Sequence, residues 1–145
     1  MLLAIDPGIS GGLAFRDNNG KIFAHKMPST LTEIRELIED LAPDLCLLEK
    51  TGTYMPGNSG PAAVTFARHC GQLEGILSGL RVSFDSVVPG KWMKNLLVTV
   101  PKSKKERKNK IKSVVQQKFP HLKITLATSD ALGILVYLME QKHGN

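Results

Sequence analysis

The sequence predicts a mixed α/β fold: a five-stranded sheet, its first three strands antiparallel, flanked by helices. Three observations carry this. Three short apolar runs, separated by tight-turn signals, open the chain. Two further apolar runs, at Leu45–Leu48 and Arg81–Val88, each follow a segment with helical spacing. Beyond Val88 the pattern is helical only.

Met1–Ile5 is apolar and stops at Asp6, where Pro7-Gly8 turns the chain. It is expected as a strand rather than a secretory leader, because a charged start and a cleavage site are missing. Gly11–Phe15 is the second strand. Asp17-Asn18-Asn19-Gly20 turns it into the third, Lys21–Met27. Thr30 or Thr32 can cap a helix to about Leu41, with Ile34, Leu37, Ile38 and Leu41 on one face. Leu45–Leu48 is continuously apolar, as in a strand covered on both faces, and Glu49 stands at its end.

Residues 50–61 hold Gly52, Pro56, Gly57, Gly60 and Pro61 and read as a loop. A long helix is expected from about Ala62 to Leu80, with an apolar stripe from Ala63 through Phe66, Cys70, Leu73 and Leu77. Arg81–Val88 is the last strand. Short helices follow at about 90–97 and 103–118. Thr128 or Ser129 can cap a final helix to about Gln141, placing Asp130 in its first turn.

The 145 residues suit a single domain spanning 1–145. With 42% hydrophobic and 22% charged residues, the composition is that of a soluble globular protein. No apolar run approaches the roughly 20 residues that span a bilayer. Cys46 and Cys70 sit in apolar surroundings without C-x-x-C spacing and read as buried free thiols of a reducing compartment. The four histidines are scattered, which gives a zinc site no support.

The net charge of +6 is unevenly placed. Residues 91–118 hold ten bases against one acid, Glu106, a net +9 that leaves the rest of the chain at −3. A lysine run alone reads as a solvated helix face. Beside a mildly acidic body it points to a polyanion. The stretch lacks the aromatic apolar face of a membrane-surface helix, so nucleic acid is the expected partner.

Asp6 and Glu49 each close an apolar strand, and Asp130 opens a helix. Singly, each has a plain explanation: a turn for Asp6, a neighbouring base for Glu49, the positive helix end for Asp130. Together they can converge at one edge of the sheet. Packed carboxylates repel, and hard oxygen donors suit Mg²⁺ or Mn²⁺. Two such ions can stabilise the attacking and leaving oxygens of a phosphodiester.

Leu3-Ala4-Ile5-Asp6-Pro7-Gly8-Ile9-Ser10-Gly11-Gly12 resembles the opening of RuvC-type Holliday junction resolvases, of the RNase H-like superfamily. Leu47-Leu48-Glu49-Lys50 resembles their second acidic strand, and Ser129-Asp130-Ala131-Leu132-Gly133-Ile134 their C-terminal Asp-Ala-Leu helix. The 58–80 stretch, with Phe66-Ala67-Arg68, Gly71 and Glu74-Gly75-Ile76-Leu77, looks most like small phage-borne members. The resemblance implies an RNase H-like fold and a homodimer that cuts four-way DNA junctions in the cytoplasm, that of the bacterial host for a phage protein. It implies two Mg²⁺ ions per site, Mn²⁺ substituting, held by Asp6, Glu49 and Asp130, and products with 5′-phosphate and 3′-hydroxyl ends. The bacterial pattern places another acid three or four residues before Asp130. Here Leu126 and Ala127 stand there, so water, Ser129 or a DNA phosphate would complete the shell.

By the same resemblance Lys94 and Lys105 are the catalytic lysines, with Arg107 and Lys108 close behind Lys105. Lys91, Lys94, Lys102, Lys104, Lys105, Arg107 and Lys108 are the expected DNA contacts. Tyr54 and Met55 could wedge into the open centre of a junction, or Tyr54 could pack its own loop. Trp92 reads as core rather than a stacking surface. Two rivals remain open: a binder of branched DNA without turnover, consistent with the absent fourth acid, and a nuclease for RNA–DNA hybrids. An actin-like phosphate loop at Asp6–Gly11 is not expected, because that fold needs two such domains and 145 residues do not supply them.

Overall fold

The structure is a computed structural model that describes residues 1–50 and 60–144. The five strands are β1 (Leu2–Asp6), β2 (Gly12–Arg16), β3 (Ile22–Lys26), β4 (Leu45–Glu49) and β5 (Ser83–Val87). They stand in the order β3-β2-β1-β4-β5. β1, β2 and β3 form the expected antiparallel meander, and β4 and β5 join parallel on the other side of β1. Parallel pairing requires crossovers. Helix α1 (Leu31–Leu41) leads into β4, and α2 (Gly60–Gly79) joins β4 to β5. Three helices follow: α3 (Pro89–Leu96), α4 (Lys104–Lys118) and α5 (Leu126–His143).

Strand alternation divides the core between the two sheet faces. Leu3, Ile5, Leu13, Phe15, Cys46 and Leu48 pack with Ile34 and Ile38 of α1 and with Leu73 and Leu77 of α2. Ala4, Ala14 and Leu47 face the other way, toward Trp92 of α3, Ile111 and Val115 of α4, and α5. Cys46 and Cys70 are buried free thiols.

Side-chain size explains how closely α5 approaches the sheet. Ala4, Ala14 and Ala24 lie side by side across β1, β2 and β3. This alanine row leaves room for a helix buried along almost its whole length from Thr128 to Leu138. Two residues before Ala14 on β2, a Cβ on Gly12 would stand 2.5 Å from the Ala127 carbonyl oxygen and 2.9 Å from that of His25. Only glycine fits there.

The helix starts resolve the open caps. Thr30 caps α1 in a capping box: its Oγ1 accepts from the Glu33 N–H at 3.2 Å, and its own N–H donates to Glu33 Oε2 at 2.9 Å. The final helix begins earlier than its sequence suggests. Thr125 is its N-cap, with its N–H donating to Thr128 Oγ1 at 3.2 Å. Thr128 and Ser129, the expected caps, lie buried inside the helix. Asp130 therefore stands in the second turn, and the first turn holds no acid. The helix dipole acts chiefly within one turn, so it is a weak reason for an acid at this position.

α2 also begins two residues early, and its expected stripe is buried only at Cys70, Leu73 and Leu77. Its first half, including half-buried Phe66, walls a cavity instead. Among the described residues, no helix is long and apolar enough to cross a membrane.

Candidate active site

Register and alternation bring two acids together. β1 and β4 are neighbours, with Ile5 opposite Leu48. The next residue on each strand is the acid, Asp6 or Glu49. Ile5 and Leu48 belong to the α1/α2 face, so their successors turn to the α5 face. There α5 contributes Asp130, and all three acids line one cavity of about 1010 Å³.

Burial makes this an expensive place for negative charge. Glu49 is only 7% exposed, and the Asp130 side chain 13%. Burial, and then the Glu49 and Asp130 charges, raise the Asp6 pKa from 3.8 to about 8, against a lowering by Lys108. Burial raises Glu49 to about 7; the Trp92 hydrogen bond opposes this, Asp130 adds to it and Lys108 lowers it. Asp130 is raised by burial and lowered by Lys108 and Lys104. Such a group titrates as a unit.

The partners of these oxygens are few. The indole N–H of Trp92 donates to Glu49 Oε2 at 2.6 Å. Lys108 Nζ lies 4.0 Å from Asp130 Oδ2, an ion pair at its outer limit. Asp130 Oδ1 is buried with no hydrogen-bond partner among the described residues. A buried, unpaired carboxylate oxygen is destabilising unless something outside the chain satisfies it.

The donor set suits a hard divalent cation: three oxygen-only side chains, mutual repulsion and an unsatisfied oxygen. It is not a finished cage. Among the described residues no group of three or more His, Cys, Asp or Glu side chains is arranged to hold an ion by itself.

The basic residues divide into two groups. Lys104, Arg107 and Lys108 line the cavity with the acids. Lys94 and Lys105, the two lysines expected at the reaction centre, are exposed and stand outside its lining, as do Lys91 and Lys102. The signal that separates them is in the sequence. Ile111 and Val115 anchor the inner face of α4, and Lys108, Arg107 and Lys104 precede Ile111 by three, four and seven residues. Lys105 lies off that face. Arg107 also donates to the carbonyls of Pro101 and Lys102, and Lys110 to that of Thr99 at 2.8 Å, so part of the basic stretch secures its own loop. Tyr54 and Met55 lie outside the described residues.

Sequence reading missed three further features. Trp92 is fully buried, as expected of core, yet it also holds a site carboxylate. His69 Nδ1 accepts the Gly8 N–H at 2.7 Å, tying the turn after Asp6 to α2; burial lowers its pKa, consistent with a neutral ring. Ile9 is 91% exposed at the cavity rim. Trp92 and His69 belong to no local pattern, since their partners lie far apart in sequence.

The architecture is the RuvC/RNase H-like fold: a five-stranded mixed sheet, antiparallel strands first, flanked by helices. The RuvC structure of Thermus thermophilus matches with a TM-score of 0.64 at 16% identity, over 99% of this chain and 96% of that one. The T. thermophilus RuvC complex with a Holliday junction substrate matches at 0.61 and 15% identity, over 92% and 89%. The Fowlpox virus resolvase in complex with substrate Holliday junction DNA matches at 0.61 and 15% identity, over 97% of both chains. No family model matches the sequence, and no curated protein matches it.

Proposed function

We propose that this chain is a divalent-metal-dependent endonuclease that cuts branched DNA, with the four-way junction as its substrate. The observation that carries the reading is the cavity itself: Asp6, Glu49 and Asp130 on one floor, an unsatisfied Asp130 oxygen, and Lys104, Arg107 and Lys108 beside them. The fold it shares with two junction-bound proteins supports the choice of substrate. A homodimer, one active site per cut strand, is part of the proposal.

Asp6, Glu49 and Asp130 would hold Mg²⁺, with Mn²⁺ able to replace it. When bound, two such ions supply charge stabilisation at the scissile phosphate and activation of water. The side chains do the positioning. Lys108 stands where it can offset Asp130 and contact a phosphate oxygen, stabilising charge that grows during in-line attack. Lys104 and Arg107 extend the phosphate grip along α4. The products would carry 5′-phosphate and 3′-hydroxyl ends.

The test is cleavage of a four-way junction, a plain duplex and an RNA–DNA hybrid at one fixed salt concentration, since phosphate-driven affinity falls steeply with salt. The expected result is Mg²⁺-dependent cutting of the junction, abolished by Asp6→Asn with binding retained. Wild-type cutting by that variant overturns the assignment. Preferred cutting of the hybrid identifies the RNase H-type rival. Leu126 and Ala127, where the resembled family carries an acid, favour the other rival; tight junction binding without metal-dependent products identifies it.

A further inference from the structure

The hydrogen bond between Trp92 and Glu49 joins two residues 43 positions apart, inside the core rather than at the surface. A buried indole N–H needs an acceptor, and a backbone carbonyl would serve. Here the acceptor is a carboxylate oxygen at the end of β4. Cys70 Sγ lies 4.0 Å from the Glu49 backbone carbonyl, so both the main chain and the side chain of Glu49 are approached by donors. Among the described residues Glu49 Oε1 has no hydrogen-bond partner, which leaves it as the free oxygen of the pair.

The fold is shaped to bring the indole there. Trp92 lies on α3, which packs on α5. A Cβ at Gly133 of α5 would stand 2.7 Å from Trp92 Cζ3 and 3.2 Å from Cε3. The missing side chain is what admits the ring between α3 and α5. The path runs from a glycine on the helix that carries Asp130, through a rigid aromatic ring, to the acid at the end of β4.

We infer that Trp92 is a positioning residue of the metal site: its indole N–H fixes Glu49 Oε2, so that Glu49 offers one oxygen, Oε1, to a divalent cation. The inference rests on the proposed function, in which Glu49 is a ligand. A carboxylate whose Oε2 is engaged by the indole has only one lone pair left on that oxygen, so closing on an ion with both oxygens is disfavoured. This suits the small octahedral Mg²⁺ and disfavours Ca²⁺, which accepts bidentate carboxylates. Partners of ligating groups commonly account for 10- to 100-fold in metal affinity.

The chain holds one tryptophan, so its fluorescence reads this contact directly. Titration of the DNA-free protein with Mg²⁺ is expected to change Trp92 emission saturably, with the midpoint found by calorimetry. Glu49→Gln removes that change. Unaltered emission while calorimetry records Mg²⁺ binding overturns the inference. Trp92→Phe removes the donor but leaves a void that can impair folding. Replacing the single tryptophan by benzothienylalanine keeps the ring's shape and removes only the N–H. That protein is expected to bind Mg²⁺ about tenfold more weakly or worse, with its melting temperature little changed. Wild-type Mg²⁺ affinity in it shows a packing role and overturns the inference alone, provided the unmodified protein binds Mg²⁺ and cuts junctions. Failure of the unmodified protein to do either overturns the proposed function with it.

Discussion

Replacing Asp6 by asparagine is expected to stabilise the metal-free protein while removing the proposed nuclease activity. The carboxyl is buried, and Glu49 and Asp130 add repulsion, so its pKa rises from 3.8 to about 8. An acid with a raised folded-state pKa binds more protons when folded than when unfolded. Stability therefore falls as pH rises from about 4 to about 8. Each unit corresponds to about 1.4 kcal/mol, which sets a ceiling of about 6 kcal/mol on the penalty at pH 8. Asparagine keeps the shape and removes the charge, but it does not restore every hydrogen bond. Water entering the cavity also screens the charge, and a net gain of about 2 kcal/mol is expected. For a chain of this length that is a rise of roughly 4–8 °C in melting temperature. Calorimetric melts at pH 5 and pH 8, with and without Mg²⁺, measure it. The advantage of the variant should shrink as pH falls, and Mg²⁺ should stabilise only the wild type. Parallel pH dependences for the two proteins would refute the account of Asp6 as one member of a repelling group.

Lys108→Met is expected to lower the cleavage rate of bound junction by about 100-fold, while Lys94→Ala leaves that rate intact and changes the salt dependence of binding by about one charge; single-turnover cutting and binding isotherms separate the two, and equal rate losses would place Lys94 at the centre instead. Gly12→Ala forces a Cβ against the Ala127 and His25 carbonyls and should destabilise the fold by several kcal/mol, through loss of α5 docking; denaturant titration checks it, and wild-type stability would show that the helix can retreat.

The sheet was legible because its strands carry two kinds of punctuation. Pro7-Gly8 and Asp17-Asn18-Asn19-Gly20 mark the meander, and continuous apolar residues mark β4. Asp6 and Glu49 were legible as a pair for the same reason: each ends a strand, and strand ends collect at sheet edges. The start of α5 was not. Thr125, Thr128 and Ser129 can all cap a helix, and the choice is made by packing, with the Ala127 carbonyl lying against the space left by Gly12. The cavity-lining bases were obscured in a different way. Ten bases crowd residues 91–118, and a resemblance aligns poorly there. Counting back from the buried Ile111 would have selected Lys108, Arg107 and Lys104. No count would have found the bond between Trp92 and Glu49, because it joins elements through the core.

Charge balance gives the site its last consequence. Three ionised carboxylates against Lys108, the one base at ion-pair distance from them among the described residues, 4.0 Å from Asp130, leave this inner group at a net −2, with Lys104 and Arg107 of the same cavity adding positive charge farther out. One divalent cation neutralises it. A second leaves an excess of positive charge that only a further anion can balance, and Leu126 and Ala127 offer none. Under the proposed function the DNA phosphate is the available anion. Mg²⁺ binding is therefore expected at one ion per chain without DNA, with the second requiring a bound junction. The first ion is expected to displace protons from Asp6 and Glu49, whose pKa values are raised to about 8 and about 7, so its affinity should increase from pH 6 to pH 8.5. Calorimetry in buffers of different ionisation enthalpy counts the ions and the released protons together. Two tight ions per chain in the absence of DNA, with no proton release, would show that Lys108 does not offset the acids and that the floor is fully ionised before metal arrives.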